Sequence, residues 1–356
     1  MKNISLNFES INSSDGGISR VANLVLRFFE DRSKLNNDKI FLNIFRDDNI
    51  QNISNSNFVR KKFNRKSKLS FIINDFINSK KSDYILYDHL GLARSNLLHI
   101  KKKPYITFLY GIDIWDESNK KRLKAQKNSA LSIAISNFTK HKALSTHGTL
   151  KNVKVCWLST IYDEIKFVKK KKKNFNFLFL SRLEKNKGHQ ITIDAFNKIK
   201  KKNIKLIIVG KGPEYQNIKK KIANLNLQKK VKMYGFLDEK KLNNLWSKTD
   251  VLIMPSKVEG FGLVYIEAMS RGIPIITSKQ DAGHEINVHG KTGYSADLNN
   301  KKKDELLIYM DKISNNNLKL KKMGKNAKNR WKNNFSYKKF KKRFEKIIND
   351  FEKNIN

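Results

Sequence analysis

The chain has 356 residues, room for two domains of about 150 residues or more, each with its own core. Its net charge is +42, and Cys156 is the only cysteine, which excludes an intrachain disulfide and a cysteine-built metal site. No run of about 18 apolar residues occurs, so no membrane-spanning helix is expected, and the opening MKNISLNFESINSSDGG lacks the apolar stretch of a signal peptide.

A positive excess of this size draws phosphates, acidic glycans, nucleic acid or anionic lipid. Lysine and asparagine also crowd the outer faces of ordinary helices, as in NKIKKKN. A general bias in residue usage is therefore the plainer account, and a surface resting on an anionic membrane is the second. Nucleic acid comes last, because no DNA- or RNA-binding motif accompanies the charge. A lone cysteine fits a reducing cytoplasm, where it reads as a small buried residue.

In chain order, the glycine-containing loop SSDGG opens a helix, ISRVANLVLRFFEDR. Strand-like runs follow at KIFLNIF, DYILYD, YITFLYG and LSIAIS. Residues 49–70 are polar and read as an irregular surface excursion. The basic stretch KFVKKKKKNFNF reads as a flexible linker, with a boundary near Lys170. Beyond it the alternation is clearer. Buried strands are expected at FNFLFLS, KLIIVG, VKMYG, VLIMP and PIITS, with helices between them. Strands alternating with helices through short loops predict an α/β chain with parallel, doubly wound sheets. The expected division is 1–168, 169–334 and a final helix, 335–356, packing back on the first domain. That helix places Tyr337, Phe340, Phe344, Ile347, Ile348 and Phe351 on one face.

In such sheets ligands bind beyond the carboxyl ends of the strands. Arg182 and Lys187 follow the first strand of the second half, Gly210 and Gly212 follow the next, and SKVEGFG follows VLIMP. Two cations, a glycine turn and a helix start near Leu263 make an anion site, since free amides and the helix dipole favour phosphate. Glu267 stands just over one turn inside that helix, where its carboxylate can accept from ribose hydroxyls. Glu259, in the loop, can reach the hydroxyls of a sugar beyond the phosphates. A dipole partner and a solvated loop residue account for the two glutamates equally well when each is taken alone.

Together, FLFLSRLEKNKG, LIIVGKGPE, VKMYGF and LIMPSKVEGFGLVYIEAMSRGIPIITS resemble the retaining glycosyltransferase family 4 of the group 1 enzymes, with Glu259 and Glu267 matching its E-x7-E motif. The resemblance implies the GT-B architecture, two Rossmann-like domains facing across a cleft. It implies that Arg182 and Lys187 hold the diphosphate of a nucleotide-sugar, that Glu267 binds ribose, and that Glu259 contacts the donor sugar. The amides of Phe261, Gly262 and Leu263 would support sugar and phosphate, with Gly260, Val264, Gly210 and Gly212 completing the donor side.

In the first half, Gly16 and Gly17 resemble the family's N-terminal glycine loop. FLYGIDIWD aligns with its H-G-x-D/E element, which makes Asp113 the acceptor contact or base and puts Tyr110 where the family carries histidine. His141, His147 and His189 read as ordinary surface or structural residues, and no metal site is expected. No D-x-D sequence occurs, and fixed cations are expected to do a metal's work, with no cofactor besides the donor. The implied activity is hexose transfer to a glycan or lipid-linked acceptor in bacterial surface polysaccharide or lipopolysaccharide synthesis. It would take place in the cytoplasm or at the inner membrane face. A related nucleotide-sugar epimerase or synthase, a silent GT-B subunit and a basic nucleic-acid binder are the alternatives.

Overall fold

The structure, a computed structural model, describes residues 1–12, 16–48, 58–162, 167–300 and 302–355. It forms two compact units, Met1–Ile161 with Tyr337–Asn356, and Tyr162–Ser336. Among the described residues no helix is long and apolar enough to cross a membrane.

The N-terminal unit is built on seven strands: β1 Asn3–Phe8, β2 Lys39–Ile44, β3 Phe58–Phe63, β4 Tyr84–Tyr87, β5 Tyr105–Leu109, β6 Leu131–Ala134 and β7 Val153–Val155. All run parallel in the order β3-β2-β1-β4-β5-β6-β7. Connections run outward in both directions from the β1/β4 pair, so a crevice opens at the carboxyl ends of those two strands. Ile4, Leu6 and Phe8 of β1 are buried, but so are Ser5 and Asn7. Their polar groups are satisfied by a run of amides. Asn7 donates to Ser5 Oγ (3.1 Å), Asn43 to Asn7 (2.8 Å), Asn64 to Asn43 (2.7 Å) and Asn74 to Asn64 (2.9 Å). A buried chain of this kind is stable only when each member finds a partner.

Part of the expected irregular excursion is regular. Residues 49–57 lie outside the described residues, but 58–63 form edge strand β3, and helix Lys68–Lys81 starts on Ser67, whose side chain accepts from Ser70 N. An edge strand has one neighbour and keeps lysines that discourage further pairing, so FVRKKF lacks the apolar pattern of a central strand.

Helix Tyr337–Ile355 completes this unit. Phe344 packs edge-on against Phe28 and Phe29 at 4.7 and 6.1 Å between ring centroids, and stacks on Phe108 at 6.0 Å. Buried Glu352 accepts from Arg32 (2.6 Å) and from the Tyr84 hydroxyl (2.8 Å).

The C-terminal unit holds β8 Phe175–Leu180, β9 Ile204–Val209, β10 Val231–Tyr234, β11 Val251–Ile253, β12 Ile275–Ser278 and β13 Gly293–Ala296. They are parallel in the order β10-β9-β8-β11-β12-β13, with the reversal between β8 and β11. The basic stretch before β8 is tied to this unit. Lys169 and Lys172 pair with Asp250, and Lys170 N donates to Ser247 O (2.9 Å). The C-terminal compact unit starts at Tyr162 and so includes this stretch.

Candidate functional site

At the β8/β11 reversal the loops after the two strands meet. Lys187, 13% exposed, closes on Glu259 at 2.8 Å and reaches Val258 O at 3.4 Å. An ammonium group carries three donors, so this geometry leaves one for a ligand. Arg182 is not joined to that pair. Its side chain is 78% exposed and pairs with Glu184 at 3.2 Å.

The glycines explain how the loops come so close. A Cβ at Gly188 would strike the carbonyl of Pro255, and one at Gly210 or Gly212 would strike the backbone of Ser181 or Leu183. Gly210 and Gly212 are thus accounted for by chain packing at the strand ends, whatever else they touch. Gly262 is left-handed (φ 85°) at the start of helix Leu263–Ser270, and a Cβ there would enter the Tyr265 ring. Tyr265 in turn donates to Met254 O (2.8 Å), which fixes the turn to the end of β11. Gly260 and Phe261 are buried, the Phe261 ring lying edge-on to Phe335, so only its amide remains for a ligand. Leu263, Val264 and Glu267 are half-buried.

The sequence reading missed one member of this site. Asp281 is fully buried; its Oδ1 accepts from Gly283 N (2.8 Å), while Oδ2 has no partner among the described residues. Burial, and then the nearby Glu259 carboxylate, push its pKa well above the ordinary range. His189, read as a surface or structural residue, is packed. It stacks on Phe179 at 4.2 Å and lies 3.2 Å from Ser181 Oγ, and burial lowers it to about 4.

At the β1/β4 reversal a different chemistry collects. Glu9 follows β1, Asp88 and His89 follow β4, and Tyr110 and Asp113 follow β5. His89 Nδ1 lies 2.7 Å from Asp88 Oδ1, and Nε2 lies 3.6 Å from Glu9 Oε2. Glu9 also holds Arg46 at 2.5 Å, and its amide donates to Asp88 Oδ2 (2.7 Å). Gly91 leaves the ring its room, since a Cβ there would stand 2.6 Å from Nε2. Asp113 Oδ1 accepts from the amides of Tyr110 (2.9 Å) and Gly111 (2.8 Å). Its Oδ2 and the Tyr110 hydroxyl are buried and have no partner among the described residues.

Burial raises Asp113, against the pull of His89 and the two amides. For His89 burial works downward, but Asp88, Glu9 and Asp113 outweigh it and the imidazole is raised. Gly16 and Gly17 are exposed at the start of helix Gly17–Asn36, with Gly16 at φ 105°; the rest of the SSDGG loop lies outside the described residues. Glu9, Asp88 and His89 went unread because no motif flags them. Each is simply the residue that follows a buried strand beside a sheet reversal, the criterion that found Arg182 and Lys187.

Two parallel sheets, each reversing direction beside its first strand, define the GT-B fold. The Anabaena protein HepE, solved with UDP and glucose, matches at a TM-score of 0.77 and 17% identity over 98% of this chain and 100% of its own. The lipopolysaccharide outer core galactosyltransferase WaaB, in its apo form, matches at a TM-score of 0.73 and 18% identity over 98% and 99%. Residues 161–330, nearly all of the C-terminal unit, match the family model of the glycosyl transferases group 1. Among curated relatives, N-acetyl-alpha-D-glucosaminyl L-malate synthase of Bacillus anthracis is 34% identical over 122 residues, covering 34% of this chain and 32% of the relative. The O-antigen biosynthesis glycosyltransferase WclY of Escherichia coli is 38% identical over 96 residues, 27% and 26% of the two chains. An uncharacterized glycosyltransferase of Methanocaldococcus jannaschii is 28% identical over 224 residues, 56% and 57%. The chain thus spans from about a quarter to somewhat over half of these curated relatives' length.

Proposed function

We propose that this chain moves a hexose from a nucleotide-diphosphate sugar to a hydroxyl of a glycan or lipid-linked acceptor, with retention at the anomeric carbon. The observation that carries the reading is the Lys187–Glu259 pair at the β8/β11 reversal of a group 1 domain, set beside the Gly262 turn. The remaining donor of Lys187 and the exposed guanidinium of Arg182, turned from Glu184, bind the diphosphate and stabilise the charge that builds as the sugar–oxygen bond breaks. Glu267 binds the ribose and Glu259 the sugar hydroxyls, while the amides of Phe261, Gly262 and Leu263 face the phosphates. The acceptor oxygen forms the new bond to the anomeric carbon on the face the diphosphate leaves, and its proton passes to a diphosphate oxygen. No dedicated base and no metal is required in this scheme.

A role in a bacterial surface polysaccharide or lipopolysaccharide is supported by WclY and WaaB, whose names place them in such syntheses. The net charge of +42 would hold the protein at an anionic membrane face beside a lipid-linked acceptor. The test is thermal unfolding with UDP, GDP and ADP and their sugars. One nucleotide class should stabilise the chain, by about 2.7 kcal/mol at a hundredfold excess over Kd. No stabilisation by any of them, or stabilisation unchanged in Lys187→Ala, would sink the donor-site reading.

A further inference from the structure

Acids are scarce in this chain, 32 against 74 lysines and arginines, yet three carboxylates meet one imidazole at a single sheet reversal. Crowding like charges costs free energy, and so does leaving the Tyr110 hydroxyl and Asp113 Oδ2 buried without partners. The cluster is open to solvent through His89 and Glu9, whose side chains are 12% and 20% exposed. Among the described residues no group of three His, Cys, Asp or Glu is placed to hold a metal ion. What would relieve the unpaired atoms is a ligand rich in O–H or N–H donors that can also accept one hydrogen bond from a phenol.

We propose that Glu9, His89, Tyr110 and Asp113 form a sugar-binding subsite that takes a neutral or amino sugar and rejects one bearing a carboxylate or phosphate. Sugar hydroxyls donate to Asp113 Oδ2 and Glu9 and accept from Tyr110. An anionic substituent placed there meets Glu9 and Asp88, with Arg46 already engaged by Glu9 and the His89 imidazole by Asp88. That this sugar is the acceptor rests on the transferase reading above; the charge preference rests on the N-terminal unit alone.

The experiment follows the His89 imidazole of the full chain by NMR, its signal being the one lost in His89→Gln. Methyl glycosides of glucose, galactose, mannose and glucosamine are titrated against methyl glucuronide. At least one uncharged or amino glycoside should shift the signal saturably, with the glucuronide at least about tenfold weaker, the size of one lost charge-assisted hydrogen bond. Glu9→Gln should weaken the preferred glycoside by a similar factor and narrow the gap to the glucuronide. Tyr110→Phe gives the same reading should Glu9→Gln not fold. Equal or tighter glucuronide binding, no saturable shift with any glycoside, or undiminished binding in both variants overturns the proposal. Nucleotide stabilisation reads the other unit. If nucleotides fail while glycosides bind, the transferase reading falls and this subsite stands; the reverse outcome removes the subsite alone.

Discussion

The two units share a strand plan, each sheet reversing between its first and fourth strands, and differ in what they gather at the reversal. The C-terminal sheet brings a lysine to a glutamate beside a glycine turn at a helix start, with Arg182 apart on Glu184. The N-terminal sheet brings three carboxylates, a phenol and an imidazole, suited to hydroxyl donors. One backbone geometry therefore supplies the crevice, and the few residues just past the strand ends decide its sign.

The comparison can be broken at its strongest joint first. Glu352→Ala should cost about 3–5 kcal/mol, because buried Arg32 keeps only the longer pair with Asp38 (3.5 Å) and the buried Tyr84 hydroxyl loses its acceptor. Urea unfolding would show that loss in the N-terminal unit, with the C-terminal unit's nucleotide response kept. In the C-terminal crevice, Lys187→Ala should lower kcat/KM for the nucleotide-sugar by about a hundred- to a thousandfold, roughly 3–4 kcal/mol, with a smaller loss of stability, about 1–3 kcal/mol, from Glu259 left without its partner. Steady-state kinetics on the donor found by thermal shift would check it.

The two histidines sharpen the contrast with opposite signs. His189 is at about 4 in the fold against an ordinary 6.5. Its contribution is full above the ordinary value and falls as pH drops, by roughly 3 kcal/mol on reaching the folded value. Urea unfolding across that range should show the loss in the native chain and not in His189→Gln. His89, raised by its carboxylates, contributes most below its ordinary value and loses that contribution as pH rises through the folded one. The same series with His89→Gln should therefore differ from the native chain on the acidic side. The smallest effect is expected from Tyr110→Phe. Removing a buried hydroxyl that has no partner should leave stability unchanged or raise it by up to about 1 kcal/mol, while glycoside binding weakens.

Legibility followed the same divide. In the C-terminal unit, strands such as KLIIVG and VLIMP are apolar runs between turn residues; β11 lies within the second, and β9 covers the first as far as Val209 but starts at Ile204. In the N-terminal unit, KIFLNIF and YITFLYG were readable, but β1 went unread although NISLNF alternates as a strand does, because Asn3, Ser5 and Asn7 are poor strand formers. Asparagine is depleted in strands, and only the amide chain to Asn43, Asn64 and Asn74 explains its burial here. The Lys187–Glu259 meeting was anticipated as two residues of one crevice, though not as a direct contact. Arg182 was expected beside them and stands apart with Glu184. Asp281 and His89 were invisible because their significance lies in burial and neighbours, which no local spacing encodes.

The aromatic face of Tyr337–Ile355 has a consequence for how the protein is made. Phe28, Phe29 and Phe108 are translated early, yet Phe344, the ring they pack against, follows the whole intervening unit. During synthesis the first unit must wait on the ribosome with that apolar seam uncovered, and only the arrival of the last helix closes it.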